Sequence, residues 1–236
     1  MTVIATLSHR RGRSAMQRRM RGGDLARAAC LTAALTLPAV AHARGEIWAN
    51  AGATGPIGGN WRASVDTIVR ADRDGVYEWV VSGSLGYRLG DHATVWAGFV
   101  HKTAYANNAS SGEQRVREDL VLEDVARIGP VRLGGRLRAE EKWREAAPGL
   151  GWRVRPQLRL TLPLRKGGPA LVAGVEGFFN LGDGAGQKAG YDRVRESAGV
   201  QLPLAKRVRL DLGYLRQWTR GAGIADAATL GLAYRW

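Results

Sequence analysis

Residues 131–140 read VRLGGRLRAE, and residues 152–164 read WRVRPQLRLTLPL. Both stretches alternate between apolar and polar residues, which puts successive side chains on opposite faces of a β-strand. The polar face carries Arg132, Arg136, Arg138 and Glu140 in the first stretch, and Arg153, Arg155, Gln157 and Arg159 in the second. The opposite faces hold apolar residues and glycine. The two stretches therefore predict amphipathic strands that follow one another.

The two-residue period continues from Asn60 to the end of the chain and predicts ten strands between turn signals. These strands are Asn60–Arg70, Val76–Arg88, Ala93–Tyr105, Arg115–Ala126, Val131–Trp143, Trp152–Leu164, Ala170–Leu181, Asp192–Leu204, Val208–Thr219 and Ala227–Trp236. Short connections such as 89–91 alternate with longer ones such as 106–114, 144–151 and 182–191. This alternation is typical of an outer-membrane barrel with its short turns in the periplasm.

A weak further strand at Glu46–Ala53 affects the strand count. Ten strands put both chain ends in the periplasm, and bacterial single-chain barrels normally have an even number of strands. We therefore expect ten strands with Glu46–Ala53 outside the wall, or twelve if one strand is missed. The predicted fold class is all-β: a transmembrane, antiparallel, up-and-down β-barrel of residues 44–236, which follows a cleaved N-terminal signal peptide of residues 1–43.

The first 43 residues have the composition of an export signal. Seven arginines, with Asp24 as the only acidic residue, precede a short apolar run at Ala28–Val40. That run has the length of a signal-peptide core and is too short for a membrane anchor. The small residues Ala41 and Ala43 fit a signal peptidase, so we expect cleavage after Ala43. The start codon is Met1, Met16 or Met20. The alternative, a basic tail that binds nucleic acid, would not need the apolar run.

Composition excludes several classes of protein. The chain has 236 residues and a formal net charge of +14, and removal of residues 1–43 leaves 28 basic and 20 acidic residues, a net charge of +8. Much of the basicity therefore belongs to the leader, and nucleic acid is not an expected partner. Cys30 leaves with the leader, so no disulfide is expected. From Glu46 onward, no run of ~20 apolar residues predicts a membrane-spanning helix.

Aromatic residues separate a membrane barrel from a soluble one. Bulky side chains fill the interior of a small soluble barrel, so its aromatic residues should cluster in mid-strand. Here they fall near predicted strand ends: Trp61, Tyr77, Trp79, Tyr87, Tyr105, Trp143, Trp152, Trp218, Tyr234 and Trp236. Ten residues of a strand tilted by ~45° cover about 23 Å, close to the height of the apolar band of an outer-membrane barrel. The pattern predicts aromatic belts at two membrane interfaces.

The last eight residues, 229–236, read TLGLAYRW. Thr229, Gly231, Tyr234 and Trp236 resemble the C-terminal β-signal of bacterial outer-membrane proteins. The resemblance implies recognition of this strand by the barrel-assembly machinery. Together with the export signal, it predicts a location in the bacterial outer membrane, in contact with outer-membrane lipid and lipopolysaccharide.

The order of several short motifs resembles that of a family of small outer-membrane barrels, domain of unknown function 2490. The motifs are Gly86-Tyr87-Arg88, Trp96-Ala97-Gly98, Arg136-Leu137-Arg138-Ala139-Glu140, Gly151-Trp152-Arg153-Val154-Arg155, Glu176-Gly177-Phe178-Phe179-Asn180-Leu181, Gly190-Tyr191-Asp192-Arg193-Val194-Arg195 and Gly213-Tyr214-Leu215-Arg216-Gln217. They extend over nearly the whole exported chain. One departure is Tyr191–Arg195, where a Phe-Asp-Gln-Asn-Arg run is more usual. The family has no assigned activity, so the resemblance implies a fold and a location but no mechanism.

The charged strand faces would line the interior of such a barrel. The predicted lumen cluster comprises Arg132, Arg136, Arg138, Glu140, Arg153, Arg155, Arg159, Glu123, Glu176 and Arg195. An open lumen with this basic wall would favour small anionic solutes. A narrow lumen would instead be filled by arginine–glutamate pairs, because unpaired charges in a tight space are costly. We expect a narrow or partly plugged lumen, and a pore or structural role of unknown specificity.

No catalytic, cofactor-binding or metal-binding residues are predicted, and the protein is not expected to be an enzyme. Only His92 and His101 remain after signal cleavage, and hydrolysis would need a histidine beside a nucleophile. His101 lies near the outer end of its strand and is followed by Lys102 and Thr103, without the His-x-Ser pattern of a lipid deacylase. A lipid-modifying hydrolase that uses His101 is the alternative.

Overall fold

The computed structural model describes residues 45–106, 109–145 and 147–236. These residues form eleven β-strands in one closed barrel. The strands are β1 (Gly45–Gly58), β2 (Trp61–Asp72), β3 (Gly75–Arg88), β4 (Ala93–Ala106), β5 (Ala109–Ile128), β6 (Val131–Arg144), β7 (Ala147–Pro163), β8 (Ala170–Asn180), β9 (Gly190–Ala205), β10 (Val208–Thr219) and β11 (Gly223–Arg235). Within these ranges no helix is long and apolar enough to cross a membrane. The predicted signal peptide, including Ala41 and Ala43, lies outside the described residues.

The first strand closes the barrel and corrects the predicted strand count. β1 pairs antiparallel with β2 and parallel with β11, and the parallel register sets Gly45 opposite Asp226 and Thr54 opposite Arg235. The expectation of ten or twelve strands, with Glu46–Ala53 outside the wall, is wrong, because a parallel closing pair allows an odd number. The signal for β1 was weak because small residues occupy most of its outer positions, namely Ala49, Ala51, Ala53 and Gly55.

The two ends of the barrel are named here by their connections. The turn end holds the connections 59–60, 89–92, 129–130, 164–169 and 206–207. The loop end holds the connections 73–74, 181–189 and 220–222, and there β4 ends and β5 begins, and β6 ends and β7 begins. The long loops predicted at 106–114 and 144–151 are not loops over most of their length, because β5 begins at Ala109 and β7 begins at Ala147. The strands β4 to β7 therefore form two long hairpins at the loop end.

The two faces of the barrel wall differ in chemistry. Large apolar side chains on the outside are exposed, among them Leu85, Leu137, Leu158, Leu212 and Leu230. The largest fully buried side chains are Phe178, Glu113 and Glu140, so two of the three are carboxylates. This distribution is the reverse of a water-soluble barrel, and it is the one expected when lipid surrounds the wall.

Exposed aromatic side chains occur toward both ends of the outer face. At the turn end, Trp61 and Tyr87 on neighbouring strands meet edge to face with 5.1 Å between ring centroids. Toward the loop end, Trp79, Trp143 and Trp152 are exposed on β3, β6 and β7. The interval between Trp79 and Tyr87 on β3 spans about 19 Å along the barrel axis at a tilt of ~45°.

The C-terminal residue holds the closing pair of strands together at the turn end. Trp236 lies against Gly55 on β1, where the Cβ atom of any larger residue would overlap the indole ring. The Trp236 Nε1–H also donates a hydrogen bond to the carbonyl oxygen of Pro56 at 3.1 Å. Of the other predicted assembly-signal residues, Tyr234 is exposed on the outside and Gly231 is buried on β11. Recognition of this strand by the assembly machinery stays a prediction.

Candidate functional site: a cluster of ion pairs inside the barrel

The interior of the barrel is charged because neighbouring strands place charged residues at inward positions of the two-residue period. The antiparallel register sets Glu140 on β6 opposite Arg117 on β5 and Arg153 on β7. Contacts between these strands and β4 and β8 to β9 join twelve side chains, which we call the interior cluster: Lys102, Glu113, Arg115, Asp119, Arg136, Arg138, Glu140, Arg144, Arg153, Arg155, Glu176 and Arg195. Cations outnumber carboxylates among these twelve side chains, and Lys102 also pairs with Glu78 of β3 at 3.2 Å.

Glu140 is at the centre of the interior cluster. Its side chain is 0% exposed, and its carboxylate accepts hydrogen bonds from Arg153 Nε at 2.8 Å and Arg155 Nη1 at 2.7 Å. Arg155 bonds to the Oε1 atom of Glu140, and Arg115 Nη1 and Arg138 Nη1 lie 3.8 and 3.9 Å from that atom. Four guanidinium groups therefore surround one buried carboxylate. Such an arrangement is stable only while the carboxylate is present to offset the four positive charges.

Two other carboxylates extend the interior cluster along β5 and β6. Glu113 contacts both Arg115 and Arg144, and the Lys102 Nζ atom lies 3.9 Å from its Oε2 atom. Asp119 accepts a bidentate pair of hydrogen bonds from Arg138, at 2.5 Å from Nε and 2.8 Å from Nη2. Bidentate pairing fixes the orientation of a guanidinium plane as well as its position.

The cluster is completed by Glu176 and Phe178 on β8. Glu176 Oε1 accepts hydrogen bonds from Arg136 Nη2 at 2.6 Å and Arg155 Nη2 at 2.9 Å, so Arg155 bridges Glu140 and Glu176. The Phe178 ring is 2% exposed and lies 4.3 Å from the Arg155 guanidinium and 4.6 Å from that of Arg195. These cation–π contacts stabilise two buried guanidinium groups.

A cavity of about 360 Å³ lies beside the interior cluster. Four arginines line it, Arg117, Arg136, Arg138 and Arg155, together with the carboxylates of Asp66 and Asp119. Ser64 and Trp96, which lie toward the turn ends of β2 and β4, also border it, so the cavity extends from the cluster toward the turn end. Within the described protein, the buried Nε atoms of Arg117, Arg136 and Arg155 have no hydrogen-bond partner. The cavity wall therefore carries more positive than negative charge, while these three Nε atoms lie buried behind it.

The structure brings seven of the ten predicted lumen residues together and places the other three apart. Those within the interior cluster are Arg136, Arg138, Glu140, Arg153, Arg155, Glu176 and Arg195. Arg132 lies apart and pairs with Asp124 at 3.0 Å. Glu123 and Arg159 are exposed and take part in no ion pair of the described residues, which differs from the expected cluster. A bulge in β5 between Leu122 and Ala126 explains the difference at Glu123, because it interrupts the two-residue period.

Five members of the cluster are absent from the predicted lumen residues: Lys102, Glu113, Arg115, Asp119 and Arg144. Glu113 and Arg144 fall in the stretches 106–114 and 144–151, which the sequence predicts as loops. A usable signal was present, because charged residues occupy every second position from Glu113 to Asp119. No group of three or more histidine, cysteine, aspartate or glutamate side chains in the described ranges has the arrangement of a metal site.

These observations define a class of protein: a closed β-barrel with an apolar outer wall and an interior filled largely by ion pairs. The model of the family described as "Protein of unknown function (DUF2490)" matches residues 45–227. The chain belongs to this family, and the resemblance inferred from the order of its motifs is confirmed. The expectation of an all-β barrel is confirmed as well.

Two similar proteins give context for the family assignment. An uncharacterised protein of Methylorubrum extorquens is 28% identical over 184 residues, which cover 75% of this chain and 79% of that protein. The crystal structure of the siderophore receptor PirA from Pseudomonas aeruginosa aligns with a TM-score of 0.32 and 16% sequence identity. That alignment covers 75% of this chain and 34% of the receptor, so the chain spans about a third of the receptor's length.

Proposed function

We propose that this protein is a bacterial outer-membrane β-barrel that forms a narrow passage with a preference for small anions. The observation that carries the proposal is the cavity of about 360 Å³, which four arginines line against two aspartates. A basic wall of this kind attracts anions and raises their local concentration. The arginine side chains that line the cavity can hydrogen-bond to an anion that enters.

The proposed location in the outer membrane is supported by three independent features. The outer face carries exposed leucines in mid-strand, which water would disfavour and lipid would accommodate. Residues 1–43 have the composition of an export signal, and the final strand has the residues of an assembly signal. The strand β11 ends at the turn end, so the proposed orientation puts the turn end in the periplasm and the loop end outside the cell.

The interior cluster would restrict the passage on its loop-end side. Glu140 and Glu113 join the neighbouring strands β4 to β7 on the inner wall, and both side chains are buried. An ion that crosses the barrel must separate these ion pairs or take the place of one partner. We therefore propose low conductance with brief openings, in which arginine–carboxylate pairs separate and re-form.

Current measurements across a planar bilayer test the passage. The protein is expressed from the full-length gene, purified from host outer membranes and inserted under a KCl gradient. Small current steps are expected, and the reversal potential should shift toward the equilibrium potential of chloride. In the double variant Arg117→Gln/Arg136→Gln, the chloride-to-potassium permeability ratio should fall to roughly unity, because half of the arginines that line the cavity lose their charge.

Arg127→Gln is the matched control for the double variant. Its side chain is 67% exposed near the turn end of β5 and belongs to neither the cavity nor the interior cluster. The control should keep the selectivity of the original protein. A folded protein that selects potassium, or that never conducts under any applied voltage, contradicts the proposed passage.

Glu118 provides a test of the lipid environment. It is exposed on the outer face of β5, between Ala97 of β4 and Ala139 of β6, where its neighbours along the strand are Val116 and Leu120. A carboxylate on a lipid-facing surface is destabilising, although less so than lysine or arginine. Glu118→Leu should therefore raise the free energy of unfolding in phospholipid vesicles by about 1 kcal/mol. Denaturant titration in vesicles measures this change, and a loss of stability would contradict it.

A further inference from the structure

Three polar side chains on the outer face of β4 and β5 are linked in a row. The register pairs His101 with Gln114, and Thr103 is two residues further along β4 on the same face. The His101 Nδ1 atom lies 2.7 Å from Gln114 Oε1, and the His101 Nε2 atom lies 3.2 Å from Thr103 Oγ1. The imidazole thus connects a hydroxyl on one side to a carboxamide on the other.

A single tautomer of His101 satisfies both hydrogen bonds. With the proton on Nδ1, the ring donates to the amide oxygen of Gln114, and the unprotonated Nε2 atom accepts the hydroxyl proton of Thr103. This is the arrangement of an activated nucleophile: a hydroxyl, a base within hydrogen-bonding distance, and a third group that orients the base. The His92 imidazole, by comparison, hydrogen-bonds to a backbone oxygen, that of Glu123, at 2.9 Å from Nδ1.

The surroundings of this row indicate the kind of substrate it would meet. The register places Trp79 of β3 beside Thr103, and Trp143 of β6 beside Gln114. Both tryptophans are exposed on the outer face toward the loop end, where an aromatic belt marks a membrane interface. The row therefore lies at the depth of the ester bonds of lipids, and its exposed imidazole faces the lipid rather than the interior.

We propose that Thr103, His101 and Gln114 form a lipid-facing site that hydrolyses acyl esters of membrane lipids. This inference rests on the proposed membrane location but not on the passage. Thr103 Oγ attacks the ester carbonyl and transfers its proton to His101 Nε2, and the lipid alcohol leaves with that proton. Water then attacks the acyl-threonine, again losing a proton to Nε2, and the fatty acid is released as Thr103 regains its hydrogen. Gln114 positions the imidazole and touches no reacting atom.

Fatty-acid release by the purified, folded protein tests this site. The two probes are palmitoyl-oleoyl phosphatidylethanolamine and lipopolysaccharide, each in mixed detergent micelles, with mass spectrometry of the products to show which lipid supplies the ester. His101→Ala and Thr103→Val should each lower the rate by at least about 100-fold. Thr103→Ser should keep activity, and an acyl group should be found on the peptide that contains residue 103 of the acid-quenched protein.

Two further variants separate catalysis from structural support. Gln114→Ala should lower kcat by roughly tenfold or more with little change in KM. Gln114→Glu should keep kcat near that of the original protein, because a carboxylate also accepts the hydrogen bond from Nδ1–H. His92→Ala, the matched control, should retain full activity.

The site is overturned if neither lipid is hydrolysed, or if hydrolysis persists in Thr103→Val. Because micelle assays do not depend on ion conduction, a silent bilayer recording with active hydrolysis would contradict the passage alone.

Discussion

Glu140→Gln should lower the free energy of unfolding of the barrel by about 3–5 kcal/mol. The substitution keeps the size of the side chain and removes its charge, so Arg153, Arg155 and two further guanidinium groups lose the carboxylate that they share. Removing one partner of a buried ion pair costs more than the pair contributes, because the remaining charges are left uncompensated. Denaturant unfolding in phospholipid vesicles, followed by tryptophan fluorescence, measures the change.

Glu123→Gln is the control for the loss of a carboxylate. Glu123 is exposed and takes part in no ion pair among the described residues, so its substitution should change stability by no more than about 0.5 kcal/mol. Equal effects of the two substitutions would mean that water screens the interior as well as it screens the surface. In that case the interior cluster would not obstruct the barrel.

Leu137→Lys should lower the free energy of unfolding in vesicles by about 2–4 kcal/mol. Leu137 lies at the middle of the outer face of β6 and is 51% exposed to the surroundings of the barrel. If water surrounded the wall, lysine at such an exposed position would change stability by at most about 0.5 kcal/mol. Reversible unfolding of the variant in vesicles thus separates a membrane barrel from a soluble one.

Leu164→Lys is the matched control for this membrane test. Leu164 is 55% exposed but lies in the 164–169 connection at the turn end, where a membrane interface is expected. Lysine there should cost about 0–1 kcal/mol, because its ammonium group reaches water. A similar cost for both leucines would place the apolar band elsewhere on the wall or exclude it.

Local alternation predicts most of the strands because inward and outward positions differ strongly in polarity. The predicted bounds of Val208–Thr219 coincide with those of β10, and β4 extends one residue beyond the predicted Ala93–Tyr105. β1 was not placed in the wall because its pairing with β11 joins residues far apart in sequence, and small side chains give it little contrast. Such long-range parallel pairing leaves no local pattern to read.

The sequence predicts which face of each strand carries the interior charges better than it predicts which residues those charges pair with. Alternation places Arg136, Arg138 and Glu140 on one face of β6, but it does not show that Arg155 bridges two carboxylates on different strands. A search of the sequence for a serine nucleophile near His101 does not find the lipid-facing row of Thr103, His101 and Gln114, because Thr103 supplies the hydroxyl. Gln114 fell outside the predicted strands, so its place opposite His101 depended on the early start of β5.

The parallel pairing of β1 with β11 also governs how this chain could be re-engineered. In a barrel with an even number of strands, both termini emerge at the same rim, and a short linker can join them to create new termini elsewhere. Here the first described residue, Gly45, and the last, Trp236, lie at opposite rims, separated by roughly 30 Å for a strand of this length and tilt. A linker from Trp236 to Gly45 would have to cross the lipid or pass through the ion pairs of the interior, so a short linker cannot join these two strand ends.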